Sequence, residues 1–201
     1  MEAEHKISYG LYVITVNDGA KDSGCICNTV VQVTTSPKRI TLALNKTNYT
    51  TEIIQKTGQF NVSILSQDAK FPVFQRFGFQ SGRDADKFSG FDGAKRAENG
   101  LLYVTEGTNA FLGACVVQTV NLGSHLLFVA DVTESGVLSD TPSATYEYYH
   151  AHIKQKPQPK TSEGTVWRCK ICGYEYKGET LPPDFVCPVC KHGAEDFEKV
   201  E

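Results

Sequence analysis

The sequence has no apolar run approaching the roughly 20 residues that a membrane-spanning helix needs. It has no excess of positive charge either. Twenty Lys and Arg stand against 23 Asp and Glu, a net charge of -3, which gives no reason to expect nucleic acid or an anionic membrane as partner. The opening stretch MEAEHKISYG lacks an apolar signal-peptide core. The expected compartment is therefore the cytoplasm, where thiols stay reduced. No G-x-G-x-x-G follows a strand-like run, so a Rossmann nicotinamide domain is not expected. There is no Walker loop and no Ser nucleophile elbow. The histidines, His5, His125, His150, His152 and His192, show no metal-ligand spacing.

What is present is an ordinary globular composition over 201 residues, 40% hydrophobic and 21% charged. That length suits one medium domain and one small one. The strongest signal lies near the C-terminus, in CKICGYEYKGETLPPDFVCPVC, Cys169 to Cys190. Four of the seven cysteines sit here as two Cys-x-x-Cys pairs, and in a reducing compartment such pairs bind metal more often than they form disulfides. The segment 165–201 has only 37 residues. A domain below about 40 residues rarely buries enough apolar surface to fold alone, and a bound metal can make up the difference. Cys169, Cys172, Cys187 and Cys190 would form a tetrahedral S4 site, which suits zinc or iron. Gly173 is placed to let backbone N–H groups reach sulfur, and Pro188 stiffens the second loop. Trp167, Tyr174, Phe185 and Phe197 are expected to form a small core beside the site. The stretch before it, HIKQKPQPKTSEGT, is read as an extended spacer because of Pro157 and Pro159. The expected organisation is a large domain over 1–151, a linker over 152–164 and a metal domain over 165–201.

The large domain reads mainly as strands: 11–18, 25–35, 39–45, 59–65 and 101–106, with a hairpin of 110–120 and 125–133 around NLGS. Residues 50–58 read as a helix with Glu52 in its first turn and Gly58 as its C-terminal cap. Residues 68–78 read as a short helix with Pro72 near its start. Five or more strands with two short helices imply a closed or partly closed β-barrel. Cys25 and Cys27 share a face of a regular strand and read as core or pocket lining, with a metal or redox pair as the alternative. Cys115 reads as inert packing.

Two resemblances extend this reading. W-x-C-x-x-C-G-Y, L-P-x-D-F-V-C-P-x-C and E-D-F-E resemble rubredoxin, with an abbreviated loop (KGET) between the pairs. This implies one iron per chain in place of zinc. N-T-V-V-Q-V-T-T-S-P, L-A-L-N-K-T-N-Y-T, G-Q-F-N-V-S-I-L, F-G-F-Q-S-G-R-D-A-D-K-F and G-S-H-L-L-F-V-A-D-V resemble the flavin reductase family over about residues 7–150. That implies an FMN-binding split β-barrel, normally a homodimer, that oxidises NADH or NADPH.

On this reading Asn28, Thr29, Val30 and Gln32 meet the flavin ring edge. Asn45, Lys46, Asn48, Tyr49 and Thr50, where a strand turns into a helix, hold the phosphate, although Asn45 and Asn48 also suit plain turn and cap roles. Arg83 and Lys87 serve the FMN phosphate or an incoming nicotinamide nucleotide, or are simply exposed charges. The resemblance places His125 beside the flavin as a positioning or proton-handling group. The combination implies electron delivery to a flavodiiron oxygen or nitric oxide reductase, or to a rubrerythrin-type peroxidase. Two competing expectations stand: a free-flavin reductase with a zinc-ribbon tail that recruits partners, and a non-enzymatic flavin- or partner-binding module.

Overall fold

The computed structural model describes residues 6–154, 165–190 and 192–200. His5 and the prolines Pro157 and Pro159 of the expected spacer lie outside the described residues. The rest fall into two compact units, divided between Ile153 and Lys154.

The first unit is built on a seven-stranded antiparallel sheet. Its strands are β1 (Tyr12–Asn17), β2 (Asp22–Cys27), β3 (Val30–Thr35), β4 (Lys38–Asn45), β5 (Gln59–Leu65), β8 (Thr108–Asn121) and β9 (His125–Val137), in the spatial order β2-β1-β5-β8-β9-β4-β3. A two-stranded sheet of β6 (Ala94–Arg96) and β7 (Leu102–Val104) accompanies it. Alternation decides which face is inside. Ile40, Leu42 and Leu44 of β4 and Leu126, Phe128 and Ala130 of β9 point into one core with Ile14, Phe60 and Val62. The two cysteines Cys25 and Cys27 are part of that core, whereas Cys115 is only half-buried.

Two helices pack on the sheet. Helix α1 (Tyr49–Thr57) begins where Asn48 accepts the Thr50 N–H at 3.0 Å and stops at Gly58, whose φ of 69° only glycine adopts cheaply. Ile53 and Ile54 are its buried face. Helix α2 (Phe71–Gly78) has Pro72 in its first turn and buries Phe71, Val73, Phe74 and Phe77.

Where the sequence reads as one strand over 25–35, the chain forms β2 and β3 with a break at Asn28 and Thr29. Thr29 causes it: its hydroxyl donates to the Ala43 carbonyl at 2.6 Å and its N–H to Cys27 Sγ at 3.3 Å. A second feature escapes the hydrophobic pattern. Thr15, Asn61 and Ser63 are fully buried polar residues on β1 and β5. Thr15 Oγ1 donates to the Leu102 carbonyl, Asn61 to Leu101 and Leu102 at 3.2 Å each, and Ser63 Oγ accepts the Val104 N–H at 2.9 Å. Side chains, not a strand ladder, thus dock the β7 segment.

The second unit carries β10 (Val166–Cys169), β11 (Glu175–Lys177) and β12 (Phe197–Val200), in the order β11-β10-β12. Its aromatic core differs from expectation by one residue. Tyr176, not Tyr174, contacts Phe185 at 4.7 Å between ring centroids, and Phe185 contacts Phe197 at 5.3 Å. Trp167 lies opposite Tyr176 and donates its indole N–H to the Gly178 carbonyl at 3.3 Å.

Candidate functional site

One end of the barrel gathers most of the polar residues singled out in the sequence. Asn45, the last residue of β4, lies directly across from His125, the first of β9. The Lys46 N–H donates to the Ser124 carbonyl at 3.0 Å, so the β4–α1 turn and the β8–β9 turn are joined. Asn45 Oδ1 accepts the Thr47 N–H at 3.0 Å, and Asn48 caps α1. Both asparagines therefore have the turn and cap roles that their residue type predicts. Ser124 Oγ and His125 Nδ1 are 2.9 Å apart, which fixes the imidazole orientation.

Charges cluster at the first turn of α1. Tyr49 donates its hydroxyl to Asp18 Oδ2 at 2.7 Å, and Lys21 and Arg83 each stand over its ring, 5.4 and 5.1 Å from the centroid. Arg83 also pairs with Glu52. The Lys21 N–H, the Tyr49 hydroxyl and the Ala20 N–H hold the exposed Asp18 carboxyl down at about 2. Beneath this cluster the Ser23 hydroxyl is buried with no hydrogen-bond partner among the described residues. A Cβ on Gly82 would come within 2.2 Å of it. A half-exposed Lys46, an Arg83 fork, the N-terminus of α1 and an orphan hydroxyl under a glycine fit a phosphate group.

Two expected participants sit elsewhere. Thr50 is 1% exposed and lies beside the buried Cys25 thiol, not presented at the surface. Lys87 is neither an exposed charge nor a surface phosphate ligand. It is 3% exposed, and Nζ donates to the Gly24 carbonyl at 2.8 Å and the Phe77 carbonyl at 3.0 Å. Burial pushes it down to about 8. On the other side of the site, Asn28 and Thr29 form the β2–β3 break beside Ala43, two residues before Asn45. Val30 is buried in the core and offers only its backbone. Gln32 is exposed opposite Ile40, further down β4 from Asn45. Sequence reasoning missed Asp18, Lys21, Ser23 and Glu52 as neighbours of this end. The β1–β2 turn that carries Asp18 and Lys21 meets α1 only in three dimensions.

The tail holds the second centre. The sulfur atoms of Cys169, Cys172, Cys187 and Cys190 all lie within 4.8 Å of one another, and all four residues are buried. Cys169–Cys190 and Cys172–Cys187 are 3.6 and 3.5 Å apart. A tetrahedral ion with metal–sulfur bonds of about 2.3 Å has S···S edges of about 3.8 Å, so the four thiols fit one ion. The two loops repeat each other. Cys169 N–H donates to the Tyr174 carbonyl and Cys187 N–H to the His192 carbonyl, each at 2.8 Å. The Tyr174 N–H then reaches Cys172 sulfur, and the His192 N–H reaches Cys190 sulfur. The first loop turns at Gly173, φ 79°. Burial pushes the Cys172 and Cys190 thiols up. Cys187 experiences the same desolvation, yet N–H groups of Cys190 and Val189 hold it down. A cation is what allows all four to ionise together.

One chain thus carries a β-barrel with a polar, charged end and a buried tetrathiolate that fits a single metal ion. Comparison with known proteins agrees. Residues 4–157 match the flavin reductase like domain and residues 167–198 the rubrerythrin, rubredoxin-like domain. The chain is 35% identical over 228 aligned residues to the high molecular weight rubredoxin of Moorella thermoacetica, covering 99% of each chain. It is 36% identical to a ferric-chelate reductase (NAD(P)H) of Archaeoglobus fulgidus, over 81% of this chain and 95% of that one. Among solved structures, an FMN-binding protein from Thermus thermophilus has the same barrel fold, with a TM-score of 0.64 at 20% identity, covering 72% of this chain and 85% of the other. The chain belongs to the flavin reductase-like family, in its high molecular weight rubredoxin form, and is an oxidoreductase.

Proposed function

We propose that the protein oxidises NADH or NADPH at an FMN held by the barrel and passes electrons through one iron in the tail to a separate terminal acceptor. The observation that carries this reading is the pairing of a buried tetrathiolate with a flavin reductase-like barrel in a single chain. FMN, when bound, supplies the conversion of a two-electron hydride into single electrons, which a tetrathiolate iron accepts one at a time.

The chain's own residues bind and orient. Lys46, Arg83 and the N-terminus of α1 hold the phosphate. Asn28, Asn45 and the backbone of Thr29 and Val30 face the ring edge. His125, fixed by Ser124 at Nδ1, uses Nε2 to position the nicotinamide or hold a proton. In the tail, N–H groups from Tyr174, Val189, Cys190 and His192 stabilise thiolate charge and set the potential. One chain carrying both centres raises their effective concentration for each other. The acceptor proposed is a flavodiiron protein or a rubrerythrin-type peroxidase in the reducing cytoplasm. A second copy of the chain is proposed to cover Val31 and Val33 on edge strand β3, which are 57% and 52% exposed.

The test is the visible spectrum of the purified protein before and after anaerobic NADH. Flavin and ferric-thiolate bands that both bleach support the reading. A colourless tail containing zinc, with FMN lost on desalting, overturns it in favour of a free-flavin reductase. Lys46→Ala is expected to weaken FMN binding several-fold, measured by quenching of flavin fluorescence.

A further inference from the structure

The stretch from 79 to 93 between α2 and β6 has neither helix nor strand, and a loop of that length in a compact domain is usually functional. Two lysines tether it, at Gly82 and at Lys87. Lys87 Nζ reaches out of the loop to the Gly24 carbonyl on β2 and the Phe77 carbonyl in the last turn of α2. Strand β2 is an edge of the seven-stranded sheet, so this ammonium supplies a partner to an edge strand and to the negative end of a helix at once. Lys21 Nζ, from the β1–β2 turn, donates to the Gly82 carbonyl at 2.6 Å. Arg83 is the next residue. The loop's second half has separate anchors: Arg76 donates to the Lys87 and Ser89 carbonyls, and Phe77, Phe88 and Phe91 pack ring on ring.

We propose that Lys87 and Lys21 are positioning residues, two tethers that fix the loop so that the Arg83 guanidinium stands at the first turn of α1, where it meets an incoming phosphate. Arg83 already lies over Tyr49 and beside Glu52 there. Neither lysine touches the ligand through its tethering bond; each holds backbone that carries the ligand group. The inference rests on the reading that the phosphate binds at this turn, so the experiment separates the two.

FMN dissociation constants of the full chain are compared for Arg83→Ala, Lys87→Met, Lys21→Met and the doubles Lys87→Met/Arg83→Ala and Lys21→Met/Arg83→Ala. The expected result is a loss of about tenfold for Arg83→Ala and severalfold for each lysine variant. The lysine losses should vanish on the Arg83→Ala background, because a tether without its cargo has nothing to position. Lysine losses that persist in full on that background overturn the inference, since they mark general stabilisation of the barrel. So do lysine variants that bind FMN as the wild type does. An Arg83→Ala variant with unchanged affinity overturns the phosphate reading and the inference with it. If Lys87→Met does not fold, the half-exposed Lys21 pair decides the matter by the same criterion.

Discussion

At the residue scale, the buried lysine yields a sharp prediction. Burial pushes the Lys87 ammonium down to about 8, from an ordinary value of 10.5. The unfolded chain therefore holds this proton more tightly, and between pH 8 and 10.5 stability rises with pH. The cost of burying the charge is full below about pH 8 and gone above 10.5, a change of about 3 kcal/mol at the limit. Cys25 and Cys27, whose thiols are pushed up by burial, work in the opposite sense above pH 9. The test is accordingly a difference: wild-type unfolding free energy minus that of Lys87→Met should grow as pH rises through this window. Parallel pH curves would contradict the burial. The N-cap is a second residue-level case. Asn48→Ala removes the acceptor for the Thr50 N–H, and should cost about 1 kcal/mol, or about 2–4 °C in the melting temperature of the barrel.

At the element scale, most of the architecture was legible because period-2 alternation and cap residues are local signals. The β8–β9 hairpin, α1 with its Gly58 stop, and the Pro72 start of α2 all follow from short stretches. The break between β2 and β3 was not legible. Residues 28 and 29 contain neither glycine nor proline, and the interruption comes from a hydroxyl bonded fourteen positions away, at Ala43. Lys87 misled for a similar reason. A charged residue in a polar loop reads as exposed, and only the carbonyls of Gly24 and Phe77, brought in from two other elements, allow its burial. The tail was the most legible element, since four ligands at fixed spacing announce themselves. Its prediction is metal removal. Stripping the ion with acid and chelator should unfold the segment from 165 to 200, seen as loss of dispersed NMR resonances, while the barrel's melting transition stays in place. A tail that keeps its dispersion without metal would mean that the aromatic cluster of Tyr176, Phe185 and Phe197 suffices.

At the scale of the whole molecule, the proposed function divides labour between a barrel that handles hydride and a tail that handles single electrons. The tail's charge bears on its partner. In residues 165–201, five Lys and Arg stand against seven Asp and Glu, so 5 minus 7 gives -2. Four thiolates add a further net -1 with ferric iron and -2 with ferrous. Docking to an acceptor should therefore weaken as salt rises. The most direct measurement follows electrons from NADH to a flavodiiron acceptor in wild type and Cys172→Ser. The account predicts that the variant loses its iron, that NADH still bleaches its flavin at the wild-type rate, and that acceptor reduction collapses. An iron-free variant that reduces the acceptor at the wild-type rate would contradict it, because the barrel would then be handing electrons over directly.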